Sequence, residues 1–371
     1  MTGTSTPHDL IASARKRTGM YVGDTGVYGL HHLAYFLLDA VYWDARRGDC
    51  GDLALEVGAD GALSLFSTSR FVDPAEMVEV VTGRGFHLTP MTRAWGWGNS
   101  LPVALALSSL YEVETWDGGR QWRLLGVQGR PSGDVVEVVP AEPPPVGDAR
   151  GMRIRLIPDA TIFEAPTFDV ELLSRRCREL AFLAPRLRAR VTDHRTGEAT
   201  RMHYPLGITQ RLQELTADVP RLHPEPLAFD VEWDGFRVRC ALQWCEAEGA
   251  MYSYANTVRT RRQGVHVDGV YLALRGALSV LTGERTLLFS RRQLARGLRA
   301  IVAADGAEDR MTFAGPTREL LAIEGLAAAV GARLRPVLVE ALREHPLTPW
   351  LVTHGRVRPR PAVVARRRTP D

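Results

Sequence analysis

Cysteine is scarce in this sequence, and so are signals that would send the chain into or across a membrane. The four cysteines, Cys50, Cys177, Cys240 and Cys245, lack the close pairing that metal sites use. Neither a signal peptide nor an apolar run of membrane length is present. We therefore predict a cytoplasmic, reduced protein with no membrane partner, no metal site and cysteines that serve packing.

Net charge is also small, and lysine is almost missing. The 371 residues carry a formal net charge of +3, and nearly all the basic residues are arginine. Arginine binds phosphate bidentately. Here, however, arginine is spread evenly along the chain, which favours a genome-wide bias in amino-acid composition over a dedicated binding site. The sequence gives little support for a concentrated nucleic-acid footprint.

The length favours two domains, and 45% hydrophobic with 24% charged residues is typical of globular chains. The clearest helix is predicted at Gly29–Arg46, where apolar residues recur at spacings of three and four. Helices are also predicted at Leu10–Arg17 and Val170–Leu183. Strands are predicted in this half at residues 53–57, 62–66, 111–116, 121–127, 151–156 and 188–192.

The second half predicts another α/β domain. Strands are predicted at Phe229–Trp233 and Phe236–Trp244. Helices are predicted at Asp268–Leu281, Ser290–Ala303 and Thr317–Arg343. We divide the chain into a mobile arm at residues 1–10, a first domain at 11–221, a second at 222–345, and a disordered Pro- and Arg-rich tail at 346–371.

Several segments resemble one family in both order and spacing. They are Arg15–Thr25, Gly29–Leu33, Gly151–Asp159, Arg178–Leu183, Ala241–Trp244 and Gly264–Gly269. Together they resemble the ATPase and transducer region of the B subunits of type IIA topoisomerases, the gyrase B and topoisomerase IV kind. The resemblance implies an α/β (α+β) fold, with a GHKL or Bergerat-type sandwich at 11–221 and a ribosomal-S5-like transducer at 222–345. We expect no Toprim domain, and so no DNA cleavage by this chain.

The resemblance also indicates where ATP chemistry has been lost. Ala40 stands at the position of a magnesium-ligating asparagine, and a methyl group offers no oxygen to a hard cation. Asp44 is the candidate general base, shorter than a glutamate by one bond, with a helix-surface carboxylate as the alternative. Ser67 or Thr68 replaces the aspartate that reads adenine.

Two further changes fall on the phosphate contacts that the resemblance implies. The glycine-rich lid contains Trp95, Trp97 and Gly98, so indoles stand where bare backbone would approach an anion. Of the transducer loop, Arg318 remains as a candidate anion-binding residue. We expect the chain to bind no cofactor. Binding of ATP with magnesium is expected only under the alternative that the chain is a weak ATPase.

Aromatic residues cluster at positions that line the family's nucleotide cleft. One interpretation is that they fill the cleft, and the other is that they line a pocket for a small organic molecule. The pocket-lining candidates are Asp39, Ala40, Trp43, Ser67, Phe71, Trp95, Trp97, Gly98 and Met152, with Tyr42 and Trp116 as further rings. Asp44 and His87 are candidates for proton transfer, and Arg70 or Arg318 for holding an anionic group.

Three functions remain open at this point. The chain is a gyrase-B-like protein with its cleft repurposed for a small organic molecule, which it binds or converts. Alternatively, it is a pseudo-ATPase dimer that binds DNA or a topoisomerase as a regulator, or it is a weak ATPase. Because the N-terminal arm is short, we expect any homodimer to be constitutive and not triggered by nucleotide.

Overall fold

The computed structural model describes residues 9–48, 51–68, 72–83, 100–139, 142–144, 150–315 and 317–357. The chain forms two compact units, one ending at Gly207 and the other beginning at Ile208. We predicted the break near Leu222. The second unit also contains residues 208–221, which include all but the first residue of an unpredicted helix at Gly207–Leu215.

The longest helix of the first unit follows the predicted pattern. Six helices are described there: α1 Leu10–Lys16, α2 Thr18–Val22, α3 Val27–Arg47, α4 Pro74–Thr82, α5 Ser100–Ala106 and α6 Val170–Leu183. In α3 the apolar positions spaced by three and four are buried, and the helix is capped after Arg47 by Gly48, whose φ of 84° suits glycine. The helix therefore presents one apolar face to the sheet and to its neighbouring helices.

Nine strands of the described residues form one sheet in the first unit. They are β1 Asp52–Val57, β2 Leu63–Ser67, β3 Ser108–Asp117, β4 Arg120–Val127, β5 Arg130–Pro131, β6 Val136–Val138, β7 Gly151–Pro158, β8 Arg188–Asp193 and β9 Glu198–His203. Their order is β5-β4-β3-β7-β2-β1-β8-β9, with β6 paired to β4, and β1 and β8 run parallel. The two predicted hairpins, β1–β2 and β3–β4, are confirmed.

Strand alternation gives this sheet two different faces. On one face Leu65 and Val113 flank Ile154, and all three are fully buried. We call this the apolar face. On the other, Phe66 and Glu114 flank Arg153, and we call it the polar face.

The second unit has its own sheet and core. Its strands are β10 Leu227–Trp233, β11 Phe236–Trp244, β12 Ala250–Ala255, β13 Val258–Arg259 and β14 Leu298–Asp305, in the order β10-β11-β14-β12-β13. Its helices are α7 Gly207–Leu215, α8 Val265–Thr282, α9 Arg291–Leu294, α10 Leu326–Leu342 and α11 Thr348–Gly355. Helices α8 and α10 pack together, and their buried residues join those of β11 and β14 in one cluster.

The predicted helix at Ser290–Ala303 is wrong after its first turn. Helix α9 ends at Leu294, and Gly297 then takes a φ of 68°, where an added Cβ would lie 2.4 Å from the Cys245 carbonyl oxygen. The following residues form β14, the middle strand of the sheet, buried on both faces. A strand that is covered on both faces has an uninterrupted run of apolar residues. The spacing of apolar residues alone does not distinguish such a run from a buried helix.

Two further boundaries differ from the prediction. The helix expected at Thr317–Arg343 begins only at Leu326, after Gly325 in a left-handed conformation with φ 77°. The tail predicted to be disordered from Pro346 instead begins with α11, which places fully buried Leu351 in the core of the second unit. In the part of the chain that the structure describes, no helix is long and apolar enough to cross a membrane.

Candidate functional site

Helix α3 carries the positions at which the resemblance implies metal binding. The helix packs against β2, α5 and α6. Ala40 is almost completely buried, at 1% exposure, so its methyl group is part of the packed interior. The position therefore supplies no oxygen ligand.

Asp39, the neighbouring carboxylate, is held by a helix distant in sequence. Its Oδ1 accepts a 2.5 Å hydrogen bond from Arg176 on α6, which also donates to Glu179 at 3.3 Å. Burial lowers the pKa of Arg176, but the charges of Asp39 and Glu179 outweigh this and raise it above its usual value. Asp39 is thus one half of an ion pair that joins α3 to α6, although its side chain remains 37% exposed.

Asp44, the predicted general base, is also tied into an ion pair. Its side chain is 1% exposed, and Arg47 donates to its carboxylate from the next turn of the same helix. It is therefore not the solvated helix carboxylate of the alternative interpretation, because almost none of it reaches water. A base must contact the group whose proton it removes, so its catalytic role remains a prediction that these contacts do not favour.

A row of three side chains crosses the apolar face of the sheet near α3. Ser67 on β2 lies opposite Met152 on β7, and Met152 lies opposite Thr115 on β3. All three are at most 1% exposed. The row contains two hydroxyl groups and a thioether but no carboxylate, and the Thr115 hydroxyl donates to the Gly151 carbonyl at 3.4 Å. We did not predict Thr115, although its place two residues after apolar Val113 in a strand was the available signal.

Two partly exposed aromatic side chains lie on α3 close in sequence to Ala40. Trp43 is half-buried, and the Arg46 guanidinium lies 5.3 Å from its ring centroid. Phe36, one turn before Ala40, is half-buried and meets the ring of His32 edge-on at 5.8 Å. Phe36 was absent from our predicted site, and its i, i+4 spacing to Ala40 was the signal that could have found it.

Two of the predicted aromatic residues do not line this region. Trp116 points to the polar face of the sheet, because it follows Thr115 in β3 and successive strand residues face opposite sides. It packs there against Phe66, with ring centroids 5.8 Å apart. Tyr42 is fully buried within the core.

The remaining predicted residues are distributed as follows. Arg70, Phe71, His87, Trp95, Trp97 and Gly98 lie outside the described residues. Arg318 belongs to the second unit, has a φ of 55°, and places its guanidinium 5.8 Å from the ring centroid of Phe313. Its anion-binding role stays a prediction.

The described residues around Ala40 do not fit a magnesium ion. Magnesium requires oxygen ligands in near-octahedral geometry. Ala40 has none, and Asp39 and Asp44 are each committed to an arginine. Across the described part of the chain, no group of three or more histidine, cysteine or acidic residues is placed to hold a metal ion.

Comparison with known proteins identifies the family. The sequence model of the family described as DNA gyrase B matches residues 207–352. A crystal structure of the B-subunit of the DNA gyrase from Myxococcus xanthus is 54% identical, with a TM-score of 0.88, over 93% of this chain and 99% of that one. The chain belongs to the DNA gyrase B family. The chain therefore has the mixed α/β fold of the gyrase B ATPase and transducer region, GHKL-type, that the sequence resemblance implied.

Two other members of the gyrase B family show how far the likeness extends. The 43K ATPase domain of Thermus thermophilus gyrase B, solved in complex with an aminocoumarin, is 26% identical with a TM-score of 0.77, over 93% of each chain. The chloroplastic/mitochondrial DNA gyrase B protein of Nicotiana benthamiana is 30% identical over 90% of this chain but only 49% of its own length. The chain thus spans about half the length of that curated relative.

Proposed function

We propose that this gyrase B family chain does not carry out magnesium-dependent ATP hydrolysis and that its first unit acts by binding. The placement of three neighbouring residues on α3 carries the proposal. Ala40 is a buried methyl group, and Asp39 and Asp44 are engaged by Arg176 and Arg47. Recruiting Asp44 to a metal would break the pair that compensates its buried charge, and recruiting Asp39 would break a pair that is partly exposed. Both losses oppose metal binding, the first more than the second.

The same region supports an uncharged organic ligand better than a triphosphate. The row of Ser67, Met152 and Thr115 supplies hydroxyls and a thioether, and Phe36 and Trp43 supply ring surface. Apolar surface gains about 25 cal/mol per Å² when it leaves water, whereas a triphosphate with neither metal nor cationic partner loses its hydration uncompensated. We propose a small aromatic molecule as the ligand, which enters when the buried row opens.

Thermal unfolding tests the proposal directly. A ligand that binds only the folded state raises the melting temperature, so we expect no rise with millimolar ATP analogue and magnesium. Ala40→Asn adds an oxygen ligand, and Ala40→Leu adds similar bulk without one. We expect neither variant to hydrolyse ATP, because the asparagine alone leaves the two carboxylates engaged.

A magnesium-dependent rise of several degrees in the wild type, accompanied by phosphate release, would establish the weak-ATPase alternative instead. A rise confined to Ala40→Asn and absent from Ala40→Leu would show that the metal ligand was the single missing part. The aromatic-ligand proposal is tested separately by screening uncharged ring compounds. It fails if none stabilises the protein while a nucleotide does.

A regulatory function is the second candidate, and the likeness to the Myxococcus xanthus B-subunit favours it. Under this proposal the chain is a non-hydrolysing partner of DNA or of a topoisomerase, and it acts as a homodimer. Addition of the purified chain to a gyrase supercoiling reaction should then change the rate without ATP consumption of its own. An unchanged rate at saturating protein would exclude this role.

A further inference from the structure

A short segment of the chain is held on the polar face of the first sheet by its main chain. The backbone N–H of Glu142 donates to Gln121 Oε1 at 2.7 Å, and the Trp116 indole Nε1–H donates to the Glu142 carbonyl at 2.8 Å. Trp116 and Gln121 are direct cross-strand partners on β3 and β4. One side-chain pair therefore binds both hydrogen-bonding groups of a single peptide residue.

The buried Glu114 fixes which way the Gln121 amide points. Glu114 is fully buried and accepts hydrogen bonds from Gln121 Nε2 at 2.8 Å, from Arg123 and from Arg153. Since a carboxylate only accepts, the amide nitrogen of Gln121 must face Glu114 and its oxygen must face outward. Glu114 thus prepares an acceptor for a peptide N–H.

Trp116 is fixed as firmly as its partner. Its ring is 2% exposed and packs edge-on against Phe66, and the Arg153 guanidinium lies 5.6 Å from its centroid. A buried indole N–H requires an acceptor, and the carbonyl of Glu142 supplies it. A peptide carbonyl at this place therefore accepts a hydrogen bond from the indole N–H, which would otherwise be buried without an acceptor.

The bound segment has proline chemistry. Pro143 and Pro144 follow Glu142 and have no backbone N–H. The N–H that the segment Glu142–Pro144 possesses is therefore the one that Gln121 binds. The Glu142 side chain is exposed, and its carboxylate lies 3.8 Å from the Arg123 guanidinium. Recognition through these two groups favours a backbone with few other donors, and proline-rich sequences have such a backbone and adopt their preferred conformation at low entropic cost.

We propose that the Trp116–Gln121 pair is a recognition site for an extended proline-rich segment. The chain's own Glu142–Pro144 occupies the site in the free protein, and its release opens the site to a proline-rich segment of a second protein. The internal segment competes at the high effective concentration that a short tether gives, of millimolar order. Binding of an outside segment is therefore weak until the internal one is displaced.

Two substitutions at one position separate main-chain from side-chain recognition. Glu142→Pro removes the N–H that Gln121 binds, and Glu142→Ala keeps both main-chain groups. A fluorescent peptide with the sequence of residues 138–146 is added to each full-length protein, and binding is measured by anisotropy. We expect Glu142→Pro to bind it at least about tenfold more tightly than the wild type, because the competent fraction rises. Glu142→Ala should behave as the wild type does.

A further variant and a hydrogen-exchange measurement serve as controls for misfolding and for non-specific peptide binding. Trp116→Phe, introduced into Glu142→Pro, keeps a ring but loses the donor and should abolish the gain. In the wild type the Glu142 amide should be protected from hydrogen exchange, and Trp116→Phe should reduce that protection. Equal peptide binding by all the variants, or an unprotected Glu142 amide in the wild type, would overturn the proposal.

Discussion

Buried polar residues of the second unit form a small network around one histidine. His266 is fully buried at the start of α8, and its Nε2 lies 3.0 Å from Ser253 Oγ, which in turn contacts the hydroxyl of Thr260. Burial lowers the pKa of His266 to about 3. The imidazole is therefore neutral in the folded protein throughout the physiological range.

This histidine predicts a specific loss of stability in mild acid. Between pH 6.5 and about 3 the unfolded chain binds a proton at His266 that the folded chain does not, so stability falls as the pH falls through that window. The slope from one such group approaches about 1.4 kcal/mol per pH unit. In urea titrations at pH 7.5 and 5.5, His266→Gln should reduce the difference between the two pH values. Exposed His194→Gln is the matched control, and an equal effect from both would contradict the assignment.

The buried thiols give a second prediction for individual residues. Burial raises the pKa of both Cys177 and Cys240 to about 12. Because the thiolate is the reactive form, neither should react with a disulfide reagent in the folded protein at pH 8. Both should react at once in 6 M guanidinium, on the order of the concentrations that unfold stable domains. Modification of Cys177 or Cys240 by mass spectrometry under native conditions would contradict this.

Among the elements, α11 gives a stability prediction. Leu351 is fully buried in the core of the second unit. Leu351→Ala should lower the unfolding free energy by about 2–5 kcal/mol, since it removes transfer energy and leaves a cavity. Exposed Thr353→Ala, on the same helix, should change it by less than about 0.5 kcal/mol. Equal denaturation midpoints for both variants would show that α11 contributes nothing to this core.

The elements also show what could be predicted from the sequence. Helix α6 was predicted with its observed bounds and β11 likewise, because each has a clear period and a clear end signal. Strand β14 was missed because both its faces are buried, so no alternation is visible. Helix α11 was missed because a few apolar residues among prolines and arginines decide its packing.

The site was predictable only as far as its backbone positions. Motif order assigned Ala40, Ser67 and Met152 to the cleft that the resemblance implied, and the sheet register places Ser67 opposite Met152. The partners of the acidic residues were not accessible in this way, since Asp39 and Arg176 are 137 residues apart in sequence. Ion pairs of this kind depend on tertiary packing between helices, and no local pattern indicates them.

At the scale of the whole molecule, we predict that assembly does not respond to nucleotide. A ligand shifts an equilibrium only by its difference in affinity for the two states, and the residues around Ala40 do not fit the metal that ATP would bring. Light scattering should give the same mass with and without an ATP analogue and magnesium. A change from monomer to dimer on adding the analogue would contradict this, and addition of magnesium alone is the control.

The second unit should also be an independent folding unit. Its core cluster draws only on residues after Ile208, and a domain with its own core folds alone as a rule. A fragment of residues 208–371 should show cooperative urea unfolding and retain slow amide exchange in β11 and β14. A broad, non-cooperative transition in this fragment would contradict the prediction.

The way Trp116 and Gln121 hold Glu142 has a consequence for evolution. The two hydrogen bonds use atoms that every amino acid shares, apart from the N–H that proline lacks. Position 142 should therefore vary almost freely among relatives that keep this pair, with proline as the exception. Positions 114, 116 and 121 should vary little, and should change together when they do. An alignment would then show high sequence variability at position 142, although its main chain is bound by two side chains.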